Sequence, residues 1–181
     1  MAALELIASF TVTSTTTGPT MTTHSFTNIP QTYKHLIIHG YFFNPETIHD
    51  GRISITQGAA NGSTAGYMSK RSGFDQGSGT SYSGGNVNNM TELRKNTPQF
   101  SNGIPQYFSA WLPFYTQTSA DYGTRLVGAD THYIGNGENY QARWWGMTEN
   151  AYSFAAVTQL NIRSYPGETV GDKVILYGLG T

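Results

Sequence analysis

Residues 4–13, LELIASFTVT, alternate, with Leu4, Leu6, Ala8, Phe10 and Val12 on one face and Glu5, Ser9, Thr11 and Thr13 on most of the other. A repeat of two is the mark of a strand with one buried face. The polar STTTGPT (14–20) then reads as a turn, and MTTHSF (21–26) as a short second strand. Next comes FTNIPQTYKHLIIHG (26–40). Pro30 holds its own φ and pushes Ile29 into an extended conformation, so the chain turns a corner there. From Tyr33 to Phe43 the pattern is strand-like, with Leu36, Ile38 and Phe42 on one face and His35, Ile37, His39, Tyr41 and Phe43 on the other. Both faces are fairly apolar, which predicts a central strand covered on both sides.

Farther along, RISITQ (52–57) alternates again, and YMSKRS (67–72) reads as a short return strand after a glycine-rich turn. Residues 72–103 offer little to bury and predict one long glycine-rich surface loop, with Asn89 and Glu92 placed to cap a single helical turn through MTELRK. Strand patterns return at 106–116, 124–134, 140–147, 154–165 and 173–180. Roughly eight to ten short strands with turns between them, and no long helical pattern, predict an all-β antiparallel sandwich or barrel. No repeat of fixed period suggests a propeller or solenoid.

The composition agrees with one folded β domain over 1–181: charged residues make up 12%, aromatic residues 13%, and glycine is abundant at 21 residues. A net charge of −1 gives no electrostatic footprint for nucleic acid or an anionic membrane. The absence of cysteine removes disulfides, thiolate catalysis and cysteine-based zinc sites. MAALELIASF lacks the basic start and apolar core of a signal peptide, and no apolar run approaches a membrane span, so synthesis and solubility in a cytoplasm are expected.

Three segments, FTNIPQTYKHLII (26–38), ISITQGAANGSTAGYMSKR (53–71) and VTQLNIRSYPGETVGDKVILYGLGT (157–181), together resemble a family of small virion proteins of tailed bacteriophages, common in cyanophages and other aquatic phages. The layout they share with it is an early strand leading into Phe-x-x-Ile-Pro-x-Thr-Tyr-x-x-Leu, an Ile-x-Ile strand, a Gly/Asn/Ser loop ending in Tyr, and a closing Leu-Tyr-Gly. The resemblance covers both ends of the chain and is weak over 72–103. It implies a jelly-roll-like β-sandwich on a virion, as a capsid decoration (cement) protein or a tail or adhesion component. The partners it implies are the major capsid protein or other virion proteins and further copies of the chain, a trimer favoured, with a host surface glycan as the alternative target of a tail or head-fibre module.

Candidate chemistry is sparse. His35 and His39 share a strand face but lie roughly 13 Å apart along it, whereas two imidazoles on one zinc each sit about 2.0–2.1 Å from the ion. A packing role is therefore expected and no metal or cofactor. There is no G-x-S-x-G, and DTH (130–132) and HD (49–50) stand without a nucleophile. Glu138, Glu149 and Asp130 are the only carboxylates singled out for a glycosidase-like pair, and a non-enzymatic role is expected. The densest aromatic cluster is YQARWWGM (140–147). Tyr133, Tyr140, Arg143, Trp144 and Trp145 are accordingly the candidate contact residues for a protein or a glycan. Adjacent tryptophans on a strand point to opposite faces, so one can fill the core while the other faces outward as an anchor.

Overall fold

The computed structural model describes residues 3–16, 22–43, 52–58, 67–75, 80–88, 91–92, 105–116, 126–135, 138–148, 156–165 and 167–180. Every element among them is a strand: β1 (Leu4–Thr11), β2 (Thr22–Phe26), β3 (His35–Phe43), β4 (Arg52–Gly58), β5 (Tyr67–Asp75), β6 (Thr80–Asn88), β7 (Thr91–Glu92), β8 (Pro105–Pro113), β9 (Leu126–Gly135), β10 (Glu138–Thr148), β11 (Gln159–Tyr165) and β12 (Lys173–Leu179). They form an eight-stranded sheet, β1-β12-β3-β8-β9-β10-β5-β6, and a four-stranded sheet, β2-β11-β4-β7. All the pairings are antiparallel.

The pairing has an order. β1 pairs with β12, β2 with β11, β3 with β8, and β4 with β7. The strands of the first third of the chain are thus matched in nested fashion by those of the remainder, and successive pairs fall in alternate sheets. Two hairpins, β5–β6 and β9–β10, interrupt this nest and extend the larger sheet beyond β8.

One hydrophobic cluster takes residues from both sheets. Leu36, Ile38, Phe42, Phe108, Ala110, Leu112, Val174 and Leu176 come from the larger sheet, Phe26, Leu160 and Ile162 from the smaller, with Ile29, Tyr115 and Val157 from the connections. Leu36, Ile38 and Phe42 do share the buried face of β3, as their spacing predicts. The other face of that strand is not covered on the second side: His39 is exposed and His35, Ile37 and Tyr41 are half-buried. The strand is internal to its sheet, so both faces read as apolar, but among the described residues the core packs against one of them.

β1 corrects the simple alternation. Its register with β12 shifts between Leu6 and Ala8, so one extra residue enters the strand. Leu4 and Leu6 consequently pair with Leu179 and Tyr177 on the outer face and are 49% and 63% exposed. Ala8 and Phe10 pair with Leu176 and Val174 and pack against the core. One bulge has divided what reads as a single apolar stripe.

The expected long loop over 72–103 is also corrected. Residues 72–75 and 80–88 lie in the β5–β6 hairpin, and Thr91–Glu92, assigned above to a helical turn, form β7. Asn89 and residues 93–103 are outside the described residues. An antiparallel ladder satisfies its own backbone groups, so a strand at the margin of a sheet needs little apolar content.

The corner at Ile29-Pro30 is held by side chains rather than by ladder bonds. Asn28 takes a left-handed φ of 55°, Ile29 is buried, and the Ile29 N–H donates to the Thr158 carbonyl at 3.0 Å. The Gln31 amide donates to the carbonyls of Ile29 (2.8 Å) and Val157 (3.1 Å), and the fully buried Tyr115 donates its hydroxyl to the Pro30 carbonyl. Tyr33 lies flat over Gly178, where an added Cβ would come within 2.3 Å of its ring, so glycine is required in the closing Leu-Tyr-Gly. Removing only the hydroxyl in Tyr115→Phe leaves the Pro30 carbonyl without that donor. An expected loss of about 1–2 kcal/mol follows, against about 3–5 kcal/mol for Tyr115→Ala, measurable by urea denaturation.

Candidate functional site

Two arrangements of side chains stand out beyond packing. The first is a carboxylate–imidazole pair at one end of the sheets. The loop before β12 crosses the β1–β2 connection, with mutual backbone bonds between Thr16 and Glu168 (2.9 and 3.2 Å) and between Val12 and the 171–172 segment (2.8 and 3.0 Å). Gly167 has φ +94° and a Cβ there would lie 2.2 Å from the Thr16 carbonyl oxygen, so only glycine lets the two loops approach. This crossing places Glu168, 2% exposed, beneath β2, where the His24 Nε2 lies 2.8 and 2.9 Å from its two carboxylate oxygens. The Phe10 ring stacks on the imidazole at 3.9 Å. Asp172, also buried, accepts the Thr169 N–H at 2.8 Å and closes the loop on itself.

The second arrangement is the outer face of the larger sheet. Tyr107 and Trp111 on β8 are 54% and 45% exposed, and Phe114 just past the strand is exposed beside them. Tyr41 packs 6.2 Å from Tyr107, ring centre to ring centre, and His35 lies 5.5 Å from Trp111 and 4.8 Å from Phe114. Between the two groups, His39 and Ser109 are register partners. Tyr177 of β12 meets His39 at 5.9 Å edge to face. The signal for this face is present in the sequence as QYFSAWLPF (106–114), where Tyr107, Ser109 and Trp111 alternate with Phe108, Ala110 and Leu112.

His35 and His39 have separate partners. The His35 Nδ1 accepts the Phe114 N–H at 3.2 Å, and burial, helped by the neighbouring Lys34 ammonium, lowers its pKa from the ordinary 6.5. Tyr33 is shifted up, first because its hydroxyl donates to the Glu5 carboxylate at 2.9 Å. Among the described residues no three His, Asp or Glu side chains converge as a metal site would require, and no helix is long and apolar enough to cross a membrane.

The backbone places the candidate contact residues of β9 and β10 in register rows. Tyr133 and Tyr140 are direct partners, in the row of Gln106 and Phe42. Trp144 falls in the row of Ala129, Ala110 and Ile38, whose β3 and β8 members are buried. Trp145 falls in the row of Gly128, Trp111 and Ile37, and Arg143 in that of Asp130, Ser109 and His39. Register therefore joins Tyr133 with Tyr140 and Trp144 on one set of rows, and Arg143 with Trp145 on the other. Of the three carboxylates, Glu138 pairs with Gly135, five residues from Asp130 along β9 or roughly 17 Å of strand, wider than a glycosidase pair. Glu149 is outside the described residues.

No family model, curated protein or solved structure matches the chain.

Two outcomes are expected of the titratable groups. His24→Ala takes the imidazole from a buried carboxylate and should lower stability by about 1.5–3 kcal/mol at neutral pH in urea denaturation. For His35, the folded state binds its proton less readily than the unfolded chain, so stability should fall as pH drops through about 6.5 and level off below the folded pKa. His35→Asn keeps an acceptor for the Phe114 N–H but cannot titrate. Its stability profile from about pH 8 to 5 should be flatter than that of the parent chain.

Proposed function

We propose that the chain is a non-enzymatic structural protein of a tailed-phage virion, a jelly-roll-like β-sandwich that decorates the outer surface of the capsid shell. The observation that carries this reading is the nested strand pairing. With the β5–β6 and β9–β10 hairpins set aside, the remaining strands run β1-β12-β3-β8 in one sheet and β2-β11-β4-β7 in the other. That is the order produced when a ribbon of paired strands is wound into two Greek keys, the jelly roll used by viral capsid and lectin domains. Fold alone does not choose among its functions. The resemblance to phage virion proteins favours the virion role, and the corner and closing residues that carry it meet in the fold, where Tyr33 covers Gly178.

A decoration protein acts by binding the assembled shell in preference to its dissociated subunits, which stabilises the shell by mass action. A low share of charged residues, 12%, and many neutral hydrogen-bonding side chains suit such a contact, because protein interfaces are depleted of lysine and carboxylates. The major capsid protein is the proposed partner, and association with further copies, a trimer favoured, is proposed with it. The runner-up, a receptor- or carbohydrate-binding module on a tail or head fibre, draws its support from the exposed aromatic residues of β8.

Cryo-electron microscopy of particles carrying the protein tests the placement. Density for it should appear on the outer face of the capsid lattice in symmetric copies, and shells lacking it should disrupt at lower temperature. Density at the tail tip alone would overturn the decoration reading.

A further inference from the structure

We infer that the outer face of β3 and β8 is a binding site for a linear oligosaccharide. The order of side chains along the two strands argues for it. At one end Tyr107 is exposed beside Tyr41, and at the other Trp111 is exposed beside His35 and Phe114. Tyr107 and Trp111 lie on one face of β8, four residues or roughly 13 Å apart. Midway between them sit His39, exposed, and Ser109, its register partner. The strip therefore reads aromatic, polar, aromatic.

A protein contact is built in the opposite order, with aromatic anchors in a dry centre and polar groups at the rim. A chain of sugar rings presents flat C–H faces that stack on aromatic rings, and hydroxyl groups that need donors and acceptors. Rings over Tyr107 and Trp111 would leave an intervening sugar above His39 and Ser109, whose groups both donate and accept. An internal strand pair gives these side chains a fixed spacing, and tyrosine and tryptophan lose little conformational freedom when they are covered. Charge favours a neutral polymer: the described side chains on the outer face of β1, β12, β3 and β8 include Lys173, His35 and His39, while the register partner of Ser109 on the neighbouring β9 is Asp130, itself paired with Arg143. The exposed Leu4 and Leu6 lie on β1, three strands from β8, outside the strip.

This site does not rest on the virion reading, and its test uses the isolated full-length chain. Native gels are cast with laminarin, hydroxyethylcellulose, galactomannan or alginate, and mobility is compared with a polymer-free gel. Retardation is expected in at least one. There Trp111→Ala and Tyr107→Ala should each weaken binding by about tenfold, Trp111→Phe and His39→Ala by less, and Leu6→Ser not at all. Circular dichroism of each variant separates loss of binding from loss of fold, and Trp111→Phe preserves an aromatic surface should Trp111→Ala fail to fold. Unretarded migration in all four gels overturns the proposal, as does retardation that the Trp111 and Tyr107 variants leave unchanged. Self-association in sedimentation velocity that Trp111→Ala abolishes, with no retardation by any polymer, assigns the face to a second copy of the chain and also overturns it. Absence of the protein from the capsid surface would leave this binding intact, so the two readings fail separately.

Discussion

Two sheets share one core only if the chain can pass between them without stranding its backbone polar groups, and among the described residues that constraint bears hardest at the Pro30 corner. The β2–β3 connection, the turn after β8 and the segment before β11 converge around Pro30, where no ladder is available to satisfy carbonyls and N–H groups. Tyr115, Gln31 and the Thr158 carbonyl supply the missing partners. Apart from the local Gln31–Ile29 bond, these join segments far apart in sequence, Gln31 to Val157 and Tyr115 to Pro30 among them. The corner therefore ties together segments that flank both sheets, whose Leu36, Ile38, Leu160 and Ile162 fill the shared interior.

The opposite end is closed by other means. There the loop before β12 lies across the β1–β2 connection, glycine at 167 permits the close approach, and the buried Glu168 meets His24. A carboxylate is costly to bury unless hydrogen-bonded, so the pair specifies which loops meet more than it adds net stability. One end is thus closed by backbone carbonyls meeting side-chain donors, and the other by a buried carboxylate meeting an imidazole.

Much of the framework was legible in the sequence because it rests on local pattern. The alternation at 35–43 and 173–179, and the Pro30 corner, each depend on a few consecutive residues. What was not legible depends on register. The extra residue between Leu6 and Ala8 leaves the repeat of two intact to the eye yet transfers two leucines to the outer face. The end of β5 and all of β6 read as loop because 72–88 hold few apolar residues, although strand pairing at a sheet margin is a backbone matter. The nested pairing of β1 with β12 and β2 with β11 spans nearly the whole chain and has no local trace at all.

The candidate site follows the same rule. Aromatic density in sequence picked out Trp144 and Trp145, but density says nothing about which face of a sheet a residue joins. Register does: one tryptophan shares a row with buried Ile38 and Ala110, the other with Ile37 and the exposed Trp111. The face that Leu36, Ile38 and Phe42 fill is the one the smaller sheet covers, and every residue out of phase with them is left for something else to cover. Tyr107, Ser109 and Trp111 are out of phase. Their availability is thus a consequence of core packing on the neighbouring residues, and a one-residue shift of β8 would bury them and expose Phe108, Ala110 and Leu112 instead.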